Sequence, residues 1–163
     1  IYASSPVTDG QKVWVYYMGG NGQHTNFRES SLGRAYWEVD KFACWTGRKE
    51  GIESILTTTT LTLSGDYVEV LADVVDTEKD WELAASVHPV WTENAYEGLR
   101  MEEAVAEKSG RWIRISWKGE KLPDKSGCIR FKFKNLKIWA VRGEMEYKGH
   151  RLWEGADMEN EGM

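Results

Sequence analysis

Apolar and polar positions along this chain alternate with a period close to two in nearly every segment, the repeat of a β-strand rather than a helix. Lys12-Val13-Trp14-Val15-Tyr16-Tyr17 is β-branched or aromatic at almost every position, the composition of a strand buried on both faces. The cluster Gly19-Gly20-Asn21-Gly22 ends it. A second strand is predicted from Ser31 to Val39, giving a β-hairpin whose long loop covers 20–30. After a turn region around Gly47 to Gly51, extended structure is expected from Ser54 to Leu63, including the run Thr57-Thr58-Thr59-Thr60. Gly65-Asp66 predicts a turn, Tyr67 to Val74 a strand, and Trp81 to Val90 another, closed by His88-Pro89.

Residues 93–108 leave two readings open. Glu97 to Lys108 suits a short helix weakened by Gly98, and equally a loop leading into a short strand at Glu103 to Ala106. The alternation is clearest in the last third. Within Arg111 to Trp117, one face carries Ile113, Ile115 and Trp117, and the other Trp112, Arg114 and Ser116. A connection from Gly119 to Gly127 leads to Cys128 through Phe133, and after Asn135 the pattern resumes from Leu136 to Val141. Many short strands between turn signals predict an all-β protein, an antiparallel, jelly-roll-like β-sandwich with an N-terminal β-hairpin. The expected division is a hairpin segment over 1–46 packed on the sandwich, the sandwich over 47–142, and an acidic tail over 143–163.

At 163 residues the chain suits one domain, or one with a small appended piece, and can bury a core without disulfide or metal staples. Its hydrophobic and charged fractions, 41% and 29%, are ordinary for a soluble protein. No apolar run approaches the roughly 18 residues of a membrane helix, and no signal-peptide pattern opens the chain. Starting at Ile1 rather than Met, it reads as a processed or excised piece of something longer. A net charge of −5 argues against a nucleic-acid partner. The richest basic stretch, Arg130-Phe131-Lys132-Phe133-Lys134, alternates with apolar residues and reads as the solvent side of a half-buried strand. Cys44 and Cys128 could form one bridge or stay thiols. With no CxxC pair and no His at ligand spacing, neither a metal site nor a cofactor is expected.

Catalytic constellations are hard to assemble. Among 26 acidic residues none sits in a telling context, and Asp73 and Asp76 read as turn formers. No G-x-S-x-G or catalytic-Cys signature occurs, and His24, His88 and His150 have no marked Ser or Cys partner. The Gly19–Gly22 cluster lacks the Lys-Ser/Thr of a phosphate loop. What stands out is nine Trp and seven Tyr, more than a core of this size requires. Such rings bind sugars by stacking on C–H faces while polar neighbours bond the hydroxyls. Trp14, Trp117 and Trp139 are assigned to the core and Trp112, beside Arg114, to the surface. Trp45, Trp81, Trp91 and Tyr96 fall near strand ends or loops, and the 20–30 loop carries Asn21, Gln23, His24, Asn26 and Arg28. The candidate carbohydrate site therefore comprises Trp45, Trp91, Tyr96 and Trp112 as stacking rings. Arg114, Asn21, His24 and Arg28 would make the polar contacts.

Ile1-Tyr2-Ala3-Ser4-Ser5-Pro6, Val13-Trp14-Val15-Tyr16-Tyr17 and Gly20-Asn21-Gly22-Gln23-His24-Thr25 resemble the last blade of five-bladed β-propeller glycosidases of families 32, 43 and 68. Ser31 to Ala35 and Asp40-Lys41-Phe42-Ala43 are similar to the segment by which such a chain leaves its propeller, although Lys41 stands where a Gly is usual. Leu61-Thr62-Leu63, Tyr67 to Val70, Val87-His88-Pro89, Trp112 to Trp117 and Cys128 to Trp139 resemble the β-sandwich that follows. The resemblance spans most of 1–142. It implies a non-catalytic piece, since the carboxylates of those enzymes come from earlier blades, and it implies an extracellular protein. The expected function is a carbohydrate-binding or accessory module for a polysaccharide or oligosaccharide. A structural or interaction module, packing its aromatics on itself as a homo-oligomer or on the parent glycosidase chain, is the first alternative. A polysaccharide-active enzyme with an unrecognised site is the second.

Overall fold

The computed structural model describes residues 2–22, 29–47, 52–90 and 92–147. These fall into two compact units, Ile1–Cys44 and Trp45–Met163.

The first unit is a single antiparallel sheet. Its strands are β1 (Tyr2–Ala3), β2 (Val7–Thr8), β3 (Lys12–Gly20) and β4 (Ser30–Glu38). β3 is central and pairs with β4 along its whole length, from Lys12 opposite Glu38 to Gly20 opposite Ser30. β1 and β2 pair with opposite ends of β3, at Met18 and Trp14, and the chain between them runs through Ser4-Ser5-Pro6. A proline has no N–H to give a ladder, which suits this gap. The predicted hairpin is thus present with an added, interrupted edge. The expectation that β3 is buried on both faces fails. No described residue of this unit is buried, and β3 runs from half-buried to exposed. A sheet one layer thick has no second layer of its own to cover either face. Trp14, assigned to the core, is half-buried; it packs on Tyr36 at 4.8 Å and donates its indole N–H to Asp9 at 2.9 Å. That bond, with the backbone N–H groups of Lys12 and Gln11, lowers the Asp9 pKa to about 2.

The second unit is an antiparallel β-sandwich. In chain order it contains β5 (Trp45–Thr46), β6 (Ser54–Thr57), β7 (Leu61–Val74), β8 (Glu82–His88), a 3-10 turn (Met101–Glu103), β9 (Ala104–Ser109), β10 (Trp112–Trp117), β11 (Lys125–Lys134) and β12 (Leu136–Tyr147). The larger layer has the order β5-β12-β7-β10-β9. β11 begins in that layer, where Lys125–Gly127 pair with β7, and continues between β6 and β8 as the middle of the smaller one. Period-two alternation sends Val68, Val70, Ile113, Ile115 and Trp117 inward from one layer and Val87, Ile129, Phe131 and Phe133 from the other. Trp117, wholly buried, donates its indole N–H to the Ala85 carbonyl across the core at 3.0 Å. Arg130, Lys132 and Lys134 point away from that core between buried Phe131 and Phe133, as their alternation predicts. The fold class is therefore all-β, as expected.

Several boundaries differ for identifiable reasons. Extended structure does not run unbroken from Ser54 to Leu63, because Thr58–Thr60 carry the chain from the smaller layer to the larger. Thr58 is tied there to Ile129 through both its backbone N–H and its hydroxyl oxygen. Gly65-Asp66 is not a turn between strands. Residues 65–67 form a bulge inside β7, between Ser64 opposite Glu144 and Val68 opposite Gly143, with Gly65 at φ +88. The ambiguous stretch resolves into the 3-10 turn and β9. Residues 143–147, expected in the tail, continue β12, because the first part of β7 needs a backbone partner whatever the side-chain pattern. The remainder of that tail, 148–163, lies outside the described residues. Asp76 does form a turn, accepting the Glu78 N–H and pairing with Lys79 at 2.9 Å, whereas Asp73 lies within β7. Both cysteines are free thiols. Among the described residues no helix is long and apolar enough to cross a membrane.

Gly127 marks the point where β11 changes layers, and a Cβ there would stand 2.8 Å from the His88 carbonyl oxygen. Gly127→Ala should therefore cost about 1–3 kcal/mol by forcing backbone apart. Urea unfolding monitored by tryptophan fluorescence measures this, and an unchanged midpoint would refute the close approach.

Candidate functional site

On β7, parity places Val68 and Val70 in the core and Tyr67 and Glu69 on the outer face of the larger layer. β10 and β12 flank β7, and the register sets Arg114 opposite Glu69 on one side and Arg142 opposite it on the other. Glu69 is 8% exposed, so its carboxylate must be paired. Arg142 donates from Nε and Nη2 to Glu69 Oε2, each at 2.8 Å, and Arg114 Nη2 lies 3.2 Å from Oε1. Burial alone would raise the Glu69 pKa, but the bonds from Arg142 and Arg114 outweigh it and hold the carboxyl below its ordinary value.

Each guanidinium also lies on an aromatic ring, Arg114 over Tyr67 and Arg142 over Trp112, both at 4.0 Å. The outer face thus carries one continuous stack: Tyr67, Arg114, Glu69, Arg142, Trp112. The Arg114 Nε–H is buried in it, and no acceptor among the described residues reaches that atom. Beside the stack, the β7 bulge opens a shallow recess of about 210 Å3 lined by Asp66, Tyr67, Glu69, Arg142, Gly143 and Glu144. Carboxylate acceptors, a guanidinium and a partly exposed phenol ring converge there, a donor–acceptor set that suits polyhydroxylated ligands.

Within the second unit, the sequence-predicted site residues that are described occupy different elements. Trp112 and Arg114 do belong to one cluster, but Trp112 is not an open platform. It is 7% exposed, because Arg142 covers its ring. Tyr96 packs against the sandwich core, donates its hydroxyl to the Ser126 carbonyl at 3.2 Å and carries Lys125 over its ring. Trp45 is well exposed, at 65%, on β5 at the edge of the larger layer. Asn21 belongs to the first unit, where it pins the base of its loop by bonds to Glu29. Trp91, His24 and Arg28 lie outside the described residues. Trp139, assigned to the core, is half-buried in a bulge of β12 and donates to Asp73 at 2.8 Å.

His88 has a partner that the sequence did not mark. Ser86, two residues earlier on the same face of β8, lies 2.7 Å from His88 Nε2, and Cys128 of β11 is directly opposite His88. Both members of the Ser–His pair are more than nine-tenths buried. Burial, reinforced by Arg130, lowers the His88 pKa from 6.5, with Glu93 opposing. Among the described residues no group of three His, Cys, Asp or Glu side chains could hold a metal ion. No protein-family model matches the chain, and neither does any curated protein or solved structure.

Two outcomes follow from these environments. Glu69→Ala leaves two guanidiniums facing each other. With Arg114 and Arg142 both about half exposed, the loss should be about 1–3 kcal/mol rather than the full cost of breaking a buried pair. Chemical denaturation at pH 7 checks it, and a variant as stable as the parent would show the stack to be decorative. Because His88 stays neutral when folded while the unfolded chain takes up a proton, stability should fall as pH drops through 6.5 toward the lowered folded value. His88→Gln should flatten that part of the curve, measured as urea midpoints between pH 7.5 and 5.5.

Proposed function

We propose that this chain is a non-catalytic carbohydrate-binding or accessory β-sandwich module related to the propeller glycosidases, taking a polysaccharide or oligosaccharide. The observation supporting this most is the recess beside the Glu69 stack. A sugar hydroxyl is donor and acceptor at once, and its preferred surroundings are a carboxylate and a guanidinium held rigidly next to an aromatic ring. Tyr67, Arg142 and Glu144 meet that requirement on strands rather than loops, and Glu69 holds the guanidinium in place. The binding surface is thus assigned around Tyr67 and Arg142, with Trp112 a support beneath it.

Affinity electrophoresis in gels containing individual polysaccharides tests this directly. At least one should retard the protein, and Tyr67→Ala should weaken the retardation at least tenfold while the circular dichroism spectrum stays unchanged. Retardation by none, or retention unaffected by Tyr67→Ala, would refute the assignment.

A role as an interaction module has support of its own in the first unit. There Val7, Tyr16, Met18, Leu32 and Tyr36 are each more than 40% exposed. Register puts all five on one face of the sheet, the arrangement of an interface rather than of a solvated surface. Sedimentation across a hundredfold range of concentration checks this role. A monomer throughout that also stays soluble would count against it, and Leu32→Ser with Tyr36→Ser should abolish any association seen.

A further inference from the structure

We infer that the recess selects an uncharged sugar unit and rejects acidic glycans, an inference that rests on the carbohydrate-binding reading above. Its lining holds three carboxylates, Asp66, Glu69 and Glu144, against one guanidinium, Arg142. Glu69 is neutralised within the stack, but this commits the guanidinium. Arg142 already gives Nε and Nη2 to Glu69 Oε2. A uronate or sulfate entering the recess would meet the charges of Asp66 and Glu144 and compete with Glu69 for Arg142, while Arg114, the other partner of Glu69, does not line the recess. Lys121 lies 3.4 Å from Asp66, and with 79% and 67% of the two side chains accessible solvent screens both charges alike, so the exclusion is strongest at low ionic strength.

A neutral ring faces none of these costs. Its hydroxyls donate to Asp66 and Glu144 and accept from the remaining N–H groups of Arg142, while its C–H face meets Tyr67. The recess is shallow and open to solvent, with a volume of about 210 Å3, so one ring would seat in it while the rest of a glycan chain stays outside. The selectivity is therefore electrostatic exclusion rather than a tighter fit to one sugar, and it belongs to the two rim carboxylates.

The test uses the whole chain at low ionic strength. Its probes are a panel of neutral polysaccharides (a mannan, a galactan, a β-glucan) and acidic ones (polymannuronate, polygalacturonate, a sulfated galactan). At least one neutral glycan should be retained, and every acidic one should bind at least tenfold more weakly. Asp66→Asn combined with Glu144→Gln should narrow that gap, as should added salt. If an acidic glycan binds as well as the best neutral one, and Tyr67→Ala abolishes that binding, the carbohydrate reading stands and this inference is overturned. A gap that the double variant leaves unmoved overturns it as well. Retention by no glycan of either kind overturns both.

Discussion

Glu69 lies in the middle of the longest strand of the sandwich with its carboxylate almost out of water. An ionised group so placed is tolerated only if its charge is met, and two strands converge on it to do so. Arg114 comes from β10 and Arg142 from β12, both at the registers that put them directly opposite. Such a pairing is weak evidence for net stability, since apolar residues of similar size could fill the same space at less desolvation cost. Its stronger consequence is specificity of register. Sliding β12 by one residue would carry Arg142 to the other face of the sheet and leave Glu69 with half its partners. The guanidiniums, once held, lie over Trp112 and Tyr67, which leaves Trp112 buried while Tyr67 stays partly exposed.

The recess has a different origin. It exists because residues 65–67 bulge out of β7, with Gly65 in a left-handed conformation. Bulges re-aim side chains, and here the bulge brings Asp66 and Tyr67 toward Glu144 of the neighbouring strand. A rigid pair of charges on paired strands, next to a local distortion, is a scaffold on which specificity can be set without mobile loops.

The two units differ in how they satisfy the hydrophobic effect. In the second, two layers cover each other and wholly bury Leu63, Val70, Ile115, Trp117 and Phe131. In the first, one layer carries its aromatic residues with none buried among the described residues, held by ring stacking, the Lys12 and Arg34 contacts to Trp14, and the Asp9 bond. Tryptophan burial varies within the sandwich: Trp117 lies in the core and Trp112 under Arg142, Trp81 and Trp139 are half-buried, and Trp45 is 65% exposed. In the single sheet Trp14 and Trp37 are both half-buried.

The strand class, the inward set Ile113, Ile115 and Trp117, and the outward lysines around Phe131 and Phe133 were all legible in the sequence, because a period-two pattern survives without knowledge of partners. The hairpin of β3 and β4 was legible for the same reason. Burial of β3 was not, since β-branched and aromatic residues suit an extended chain whether or not a second layer covers it. Trp112 was placed on the correct face yet read as exposed, because nothing local announces that Arg142, thirty residues later, folds over it. Arg142 reaches Glu69 only after the shift at Trp139, and the recess forms only where Gly65 breaks the ladder. Alternation within each strand is a local property that the residues carry themselves. Register between strands, and hence the Glu69 stack and everything built on it, depends on bulges and distant charges that meet only in the folded chain.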